Sequence, residues 1–155
     1  MKSLVVYYSR TGKTRWVAET IAATLCADLE EVVDLKKRSG PIGWIGGGKD
    51  ATRKSLTEIT PAKRNPADYE LVVVGTPIWA WSPTPAIRTY FAQNDLSSNK
   101  VALFYTFDSD LKQGAERTKE LLLNVKVIGE LELLTPSKNK EETEKKIIDW
   151  CQTLK

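Results

Sequence analysis

The sequence contains no histidine, and this absence excludes several classes of catalytic site. Without imidazole there is no Ser-His-Asp triad, no histidine proton shuttle and no histidine-ligated zinc. Cys26 and Cys151 are far apart and form no CxxC pair, so we expect no disulfide framework and a cytoplasmic location. No segment approaches the roughly 20 apolar residues that a membrane-spanning helix needs, so we expect no membrane span.

The chain also lacks a strong excess of either charge. Its 155 residues include 23 Lys and Arg and 20 Asp and Glu, for a formal charge of +3. This mild excess does not indicate nucleic-acid binding, which depends on many phosphate contacts. No repeat, low-complexity tract or long linker divides the chain, so we expect a single domain over residues 1–155.

Strand-like and helix-like segments alternate, which favours a parallel sheet with helices on both faces. Three of the predicted strands are unbroken apolar runs, typical of central strands, whereas charges interrupt the second and fifth, as is common at sheet edges. The order 2-1-3-4-5 of a five-stranded, doubly wound α/β sheet satisfies this pattern with right-handed crossovers. The predicted strands are 2–8, 29–35, 69–75, 100–106 and 126–134.

Helix signals lie between the strands and after the last one. Thr84 and Pro85 are a typical N-cap and first helical residue, and Asn139 with Glu142 has the spacing of a capping box. In the last helix we expect Ile148 to be buried together with its apolar neighbours. The predicted helices are 13–26, 48–57, 84–93, 112–123 and 139–153.

The loop after the first strand is rich in small hydroxyl residues. It reads Ser9-Arg10-Thr11-Gly12-Lys13-Thr14 and ends where the first helix begins. A helix N-terminus offers unpaired N–H groups and a partial positive charge, which together attract anions. In the order 2-1-3-4-5 this loop faces the crevice between the first and third strands, where such folds bind ligands. The sequence therefore predicts a phosphate site here.

Two other interpretations of this loop fit its residues less well. Gly12-Lys13-Thr14 is similar to the end of a P-loop, but the first glycine of that motif would fall at Tyr7, and no G-x-G-x-x-G dinucleotide motif is present. A simple capped helix start would explain one hydroxyl but not several polar groups around a glycine. A phosphate-bearing ligand remains the favoured interpretation.

The segment from Tyr8 to Thr14 resembles the phosphate loop of flavodoxins, in which a hydroxyl residue, Thr, Gly and Thr surround the phosphate of FMN. Gly75-Thr76-Pro77-Ile78-Trp79-Ala80-Trp81-Ser82-Pro83 follows the third strand and resembles that family's first flavin-ring loop. The resemblance implies that a further flavin-ring loop follows the fourth strand, with the sequence Thr106-Phe107-Asp108-Ser109-Asp110. The resemblance covers essentially the whole chain and implies a flavodoxin-like fold with FMN as cofactor.

The resemblance assigns cofactor-binding roles but no catalytic or metal-ligating residue. We expect Trp79, and as second choice Trp81, to contact the flavin ring, because large aromatic faces stack well on an isoalloxazine. The N–H of Ala80 or Trp81 is the expected donor to the ring edge. The candidate cofactor-binding residues are Ser9, Arg10, Thr11, Gly12, Lys13, Thr14, Thr76, Pro77, Ile78, Trp79, Ala80, Trp81, Thr106, Phe107 and Asp108.

The chain departs from the flavodoxin pattern in three ways. Flavodoxins are usually acidic, whereas this chain has a pI near 8.8. Residues 76–83 contain no glycine, so a left-handed residue there costs about 1–2 kcal/mol, and we expect weaker stabilisation of one-electron-reduced flavin than a glycine loop would give. Phe107 and Asp108 replace small residues; Phe107 is expected to cover or partly block the ring, and Asp108 to lower the flavin potential.

The favoured function is an FMN electron carrier whose redox partner is a reductase or an iron–sulfur protein. An NAD(P)H-dependent quinone or flavin reductase on the same fold is the alternative, and a flavin-free binding or regulatory protein is a lesser one. The glycine-rich segment from Gly40 to Gly48 is interpreted as a connector, with a place beside the flavin or a partner as the alternative.

Overall fold

The computed structural model describes residues 1–37, 40, 42, 45 and 55–155. Strands and helices alternate over most of this length, as the sequence predicts. The strands are β1 (Ser3–Tyr7), β2 (Asp28–Glu31), β3 (Leu71–Trp79), β4 (Ser82–Pro83), β5 (Lys100–Phe107) and β6 (Lys126–Leu134). The helices are α1 (Lys13–Leu25), α2 (Pro85–Gln93), α3 (Gly114–Lys119) and α4 (Lys140–Thr153).

Five parallel strands form the sheet in the order β2-β1-β3-β5-β6. This is the predicted order 2-1-3-4-5. A sixth strand, β4, was not predicted; it pairs antiparallel with the end of β3. The cause is that β3 continues to Trp79 rather than ending at residue 75, because Thr76 and Pro77 pair with β5 although their residue types are typical of a loop.

The core lies in two layers, one on each face of the sheet. On one face the central strands pack against α1 and α4, through side chains such as Val17, Ile21 and Ile147. On the other face they pack against α2, through Ile87 and Tyr90. The prediction of helices on both faces of a doubly wound sheet is therefore confirmed. This packing leaves the loops at the carboxyl ends of the strands to form a ligand site.

The last helix has the predicted cap. The side chain of Asn139 accepts a hydrogen bond from the N–H of Glu142 at 3.2 Å, and its amide donates to the Glu142 carboxylate at 3.1 Å. The burial expected for Ile148 is wrong, since it is 37% exposed. Ile147 and Cys151 are spaced four residues apart and take the inward face instead, which turns Ile148 toward solvent.

Two other helix predictions differ from the structure. The helix expected at 112–123 is shorter (α3), and the chain after it turns at Asn124, which has a left-handed φ of 62°. Residues 48–54 of the helix predicted at 48–57 lie outside the described residues. Residues 55–57 are not helical; the N–H of Thr57 instead donates to the Thr89 hydroxyl of α2 at 3.0 Å. No helix in the described ranges is long and apolar enough to cross a bilayer.

Candidate functional site

A cleft of about 450 Å³ opens at the carboxyl ends of β1, β3 and β5. It lies where the direction of chain winding reverses, the usual ligand position in open parallel sheets, and its volume is that of a small-molecule site. Its lining brings together residues from five separate parts of the chain. These residues are Arg10, Thr11, Lys13, Thr14, Ile45, Pro77, Ile78, Trp79, Ala80, Thr106, Phe107, Asp108, Ser109 and Pro136.

The loop between β1 and α1 forms one end of the cleft. Gly12 has a φ of 94° and occupies the N-cap position of α1, a left-handed conformation that favours glycine. The turn is closed by the N–H of Gly12, which donates to the Ser9 hydroxyl at 3.1 Å. The N–H groups of the first helical turn have no acceptor within the helix, so this end of the cleft can bind an anion.

Two contacts join this loop to the end of β5. The hydroxyls of Thr14 and Thr106, both buried, are hydrogen-bonded at 2.8 Å. At the rim, the Lys13 ammonium donates to both carboxylate oxygens of Asp108, at 2.8 and 2.9 Å. The ion pair offsets part of the Asp108 charge. The expected lowering of a flavin potential by Asp108 stays a prediction, and its size depends on whether Lys13 remains paired.

Trp79, which ends β3, forms the aromatic part of the cleft. The Tyr8 ring meets it edge to face at a centroid distance of 5.6 Å, and the Arg10 guanidinium lies 4.6 Å from its ring centroid. Nη1 of Arg10 is buried without a hydrogen-bond partner among the described residues. Desolvation lowers the pKa of Arg10, yet a guanidinium keeps its charge at neutral pH. The cleft therefore combines an aromatic face with a cation.

A two-residue turn joins β3 to β4 beside the cleft. Both turn residues are left-handed, with φ of 48° at Ala80 and 56° at Trp81. Arg117 donates to the carbonyl of Trp81 at 3.1 Å, and the Lys112 ammonium lies 3.9 Å from the centre of the Trp81 ring. These contacts hold the turn in a conformation that is unfavourable for residues with a Cβ.

Ala80→Gly is expected to stabilise the folded protein by about 1 kcal/mol. Glycine adopts the left-handed conformation without steric cost, which stabilises the folded state. The greater entropy of the unfolded chain with glycine offsets only part of this stabilisation. Urea denaturation followed by circular dichroism measures the change. Ala23, exposed in the interior of α1, offers a matched control: Ala23→Gly is expected to destabilise by about 1 kcal/mol. A loss of stability in Ala80→Gly would show that the turn is not strained.

Most of the sequence-predicted site residues line the cleft. Ser9 and Gly12 instead shape the turn before α1, and Thr76 is buried with its hydroxyl donating to the carbonyl of Pro77 at 2.8 Å. Trp81 is outside this lining and is 43% exposed. Of the two predicted ring contacts, Trp79 lines the cleft and Trp81 does not. The predicted residues that line the cleft are Arg10, Thr11, Lys13, Thr14, Pro77, Ile78, Trp79, Ala80, Thr106, Phe107 and Asp108.

Three lining residues were not among the candidates. Ser109 lies inside the loop assigned after β5, and Ile45 belongs to the glycine-rich segment for which a place beside the ligand was the alternative. Pro136 follows β6, which pairs with β5, so the strand order itself indicates that this loop reaches the same edge. Only the position of the strand end, and no residue type, could have indicated Pro136.

Known proteins resemble this chain both in sequence and in structure. The sequence profile of the flavodoxin family matches residues 2–154. A flavoprotein from Lactobacillus acidophilus NCFM, solved in complex with FMN, is similar at 23% identity and a TM-score of 0.73, over 90% of this chain and 97% of that one. Its apo-form is similar at 25% identity and a TM-score of 0.68, over 89% and 95%.

A flavodoxin from Fusobacterium nucleatum, solved bound to flavin mononucleotide, is more distant in sequence. Its identity to this chain is 13% and its TM-score 0.61, over 99% of this chain and 97% of that one. Likeness at this level supports the fold. No curated protein matches the sequence.

Proposed function

The chain belongs to the flavodoxin family, and from this premise we propose that it binds FMN in the cleft and transfers electrons between protein partners. The observation that carries the proposal is the joining, in one cleft, of a helix N-terminus suited to phosphate and an aromatic wall suited to a flavin ring. The cleft volume of about 450 Å³ suits a ligand of this kind.

The residues of this chain divide the binding of FMN between them. The N–H groups at the start of α1, with the hydroxyls of Thr11 and Thr14 and the Lys13 ammonium, would hold the phosphate. Trp79 would stack on the ring, and Pro77 and Ile78 would exclude water from one side of it. When bound, FMN supplies redox chemistry in steps of one or two electrons, and the protein supplies binding and electrostatic tuning.

Arg10 is the cation best placed to tune the ring. Its guanidinium lies against Trp79, and its Nη1 is buried without a hydrogen-bond partner in the part of the chain that the structure describes. A positive charge beside a flavin favours the anionic reduced form. The charge of Asp108, which Lys13 partly offsets at the rim, would act in the opposite direction on the reduced flavin without contact with the ring.

A reducing cytoplasm is the compartment that suits this function. Cys26 and Cys151 are both free thiols, one exposed and one buried. The redox partner of the protein would be a reductase or an iron–sulfur protein. We propose no role for nucleic acid. The mildly basic composition indicates a docking surface different from that of acidic carriers, since complementary charge guides the encounter.

An NAD(P)H-dependent flavin or quinone reductase is the second candidate. The observation that favours it is the β3–β4 turn, which lacks glycine and is held by Arg117 and Lys112. A ring loop that cannot rearrange easily during reduction suits a two-electron exchange better than a one-electron one. The same cleft and the same FMN contacts serve both functions.

Anaerobic mixing with NADH and NADPH distinguishes these functions. For a carrier, the flavin absorbance of the FMN-loaded protein is expected to bleach slowly with either nucleotide alone and rapidly once a flavodoxin or ferredoxin reductase is added. Free FMN at the same concentration is the control. Rapid bleaching by NAD(P)H alone would establish the reductase instead. A purified protein that neither carries nor takes up FMN would overturn both proposals.

A further inference from the structure

Lys13 and Asp108 form an ion pair across the rim of the cleft. They are 95 residues apart in the chain, and both carboxylate oxygens accept from the one ammonium, at 2.8 and 2.9 Å. The two side chains are 39% and 64% exposed. Lys13 is the first residue of α1 and lines the cleft, so its side chain starts at the helix N-terminus at which a phosphate would bind.

The ion pair is not needed to hold the two loops together. Beneath it, the buried hydroxyls of Thr14 and Thr106 are hydrogen-bonded at 2.8 Å, and β3 lies between β1 and β5 along their length. Exposed ion pairs contribute little to stability because water screens them. The pair can therefore exchange partners while the loops remain in place.

A phosphate monoester is a stronger partner for Lys13 than Asp108 is. It carries about 1.5 to 2 negative charges near neutral pH, against one on a carboxylate, and it also accepts from backbone N–H groups at a helix N-terminus. A phosphate held by Lys13 nevertheless competes with Asp108, both of whose carboxylate oxygens already accept from the same ammonium. The affinity for the phosphate is therefore reduced by the strength of the ion pair.

We infer that Asp108 is an intramolecular competitor of the ligand's phosphate for Lys13, and that it sets how far the cleft prefers a phosphorylated flavin to an unphosphorylated one. This inference deepens the proposed FMN function and rests on it. Asp108 acts on the phosphate through Lys13, so its removal changes the affinity for FMN and leaves that for riboflavin nearly constant.

Binding of FMN and of riboflavin to the apo-protein, measured by quenching of flavin fluorescence, tests the inference. Asp108→Asn keeps the size of the side chain and removes its charge. It is expected to tighten FMN binding about threefold, within the range that exposed ion pairs support, and to change riboflavin binding by less than about 1.5-fold. Equal tightening of both flavins would place Asp108 at the ring and overturn the competition.

A double-mutant cycle with Lys13→Gln separates competition from simple repulsion. Lys13→Gln alone is expected to weaken FMN binding about fivefold or more. In that background Asp108→Asn is expected to have almost no further effect, since the contested ammonium is gone. A persistent threefold gain would show that the carboxylate merely repels the phosphate.

A second exposed ion pair of α1 supplies the matched control. Arg15 donates to Glu31 at 2.6 Å, and neither residue lines the cleft defined above. Glu31→Gln makes the same change in net charge, and we expect it to alter the ratio of FMN to riboflavin affinity by less than about 1.5-fold. A change as large as that of Asp108→Asn would indicate a general effect of charge and contradict the inference.

Inorganic phosphate separates this inference from the FMN proposal. Thermal unfolding of the apo-protein in increasing phosphate, with sulfate-free chloride at equal ionic strength as reference, reports binding at the loop. Stabilisation is expected to appear at about threefold lower phosphate in Asp108→Asn than in the wild type. If no flavin binds, the FMN proposal fails while the phosphate comparison still decides the competition; equal phosphate dependence in both proteins would overturn it.

Discussion

Replacing Gly75 with alanine is expected to lower the free energy of unfolding by about 3 kcal/mol, at the upper end of the usual cost of overpacking a core. Gly75 lies in the middle of β3, beside the fully buried Phe104 of β5. A Cβ at this position would overlap three atoms of the Phe104 ring. The ring is enclosed by core side chains and cannot move aside without displacing its neighbours.

Urea denaturation of Gly75→Ala, followed by circular dichroism, measures this loss. Gly129→Ala is the matched control, because its Cβ would meet the end of the Leu154 side chain at 2.9 Å, and we expect a cost below about 1 kcal/mol. Phe104→Leu in the Gly75→Ala background is expected to recover part of the stability, because it removes the ring from the space that the new Cβ needs. Strictly additive effects of the two substitutions would show that the ring does not cause the loss.

The displaced ring would also disturb the cleft. Gly75 directly precedes Thr76 and Pro77, which pair with Tyr105 and Thr106 at the carboxyl end of β5. A shift of β3 against β5 moves residues 76–83 relative to the loop that precedes α1. Gly75 thus has a steric role in the core whose consequence reaches the site, although it does not line it.

The topology could be predicted from the sequence because charged residues interrupt the two strands that lie at the edges of the sheet. Glu30 and Glu31 interrupt the second strand, and Glu130 and Glu132 interrupt the last, whereas the runs at Leu4 and Val101 are apolar throughout. An unbroken apolar run must be covered on both faces, so the central strands and the strand order follow. The turn before α1 was also predictable, since its glycine and hydroxyl residues lie within six consecutive residues.

The contacts that define the cleft could not be predicted in the same way. Lys13 pairs with Asp108 across 95 residues, and Arg10 lies against Trp79, yet neither pairing leaves a local pattern in the sequence. The β3–β4 hairpin was missed because Ala80 and Trp81 lack the glycine or asparagine that normally indicates such a turn. The left-handed turn is stabilised instead by tertiary contacts from Arg117 and Lys112 to Trp81.

Trp79→Leu is expected to weaken FMN binding about 30-fold, or roughly 2 kcal/mol, through loss of stacking and of buried aromatic surface. Trp79 lines the cleft, and the Tyr8 ring at 5.6 Å and the Arg10 guanidinium at 4.6 Å fix its orientation. Trp81, two residues further on, lies outside the cleft lining and is 43% exposed. The same substitution at Trp81 is therefore expected to change affinity by less than about threefold.

Fluorescence quenching of FMN by each apo-variant gives the two affinities. Trp79→Phe keeps an aromatic face and is expected to recover more than half of the lost binding free energy, which separates stacking from packing. Circular dichroism confirms that each variant is folded, because Trp79 also packs against the core cluster at the end of β3. If Trp81→Leu proves the more damaging change, the flavin ring lies against Trp81, and the assignment of Trp79 to the ring is wrong.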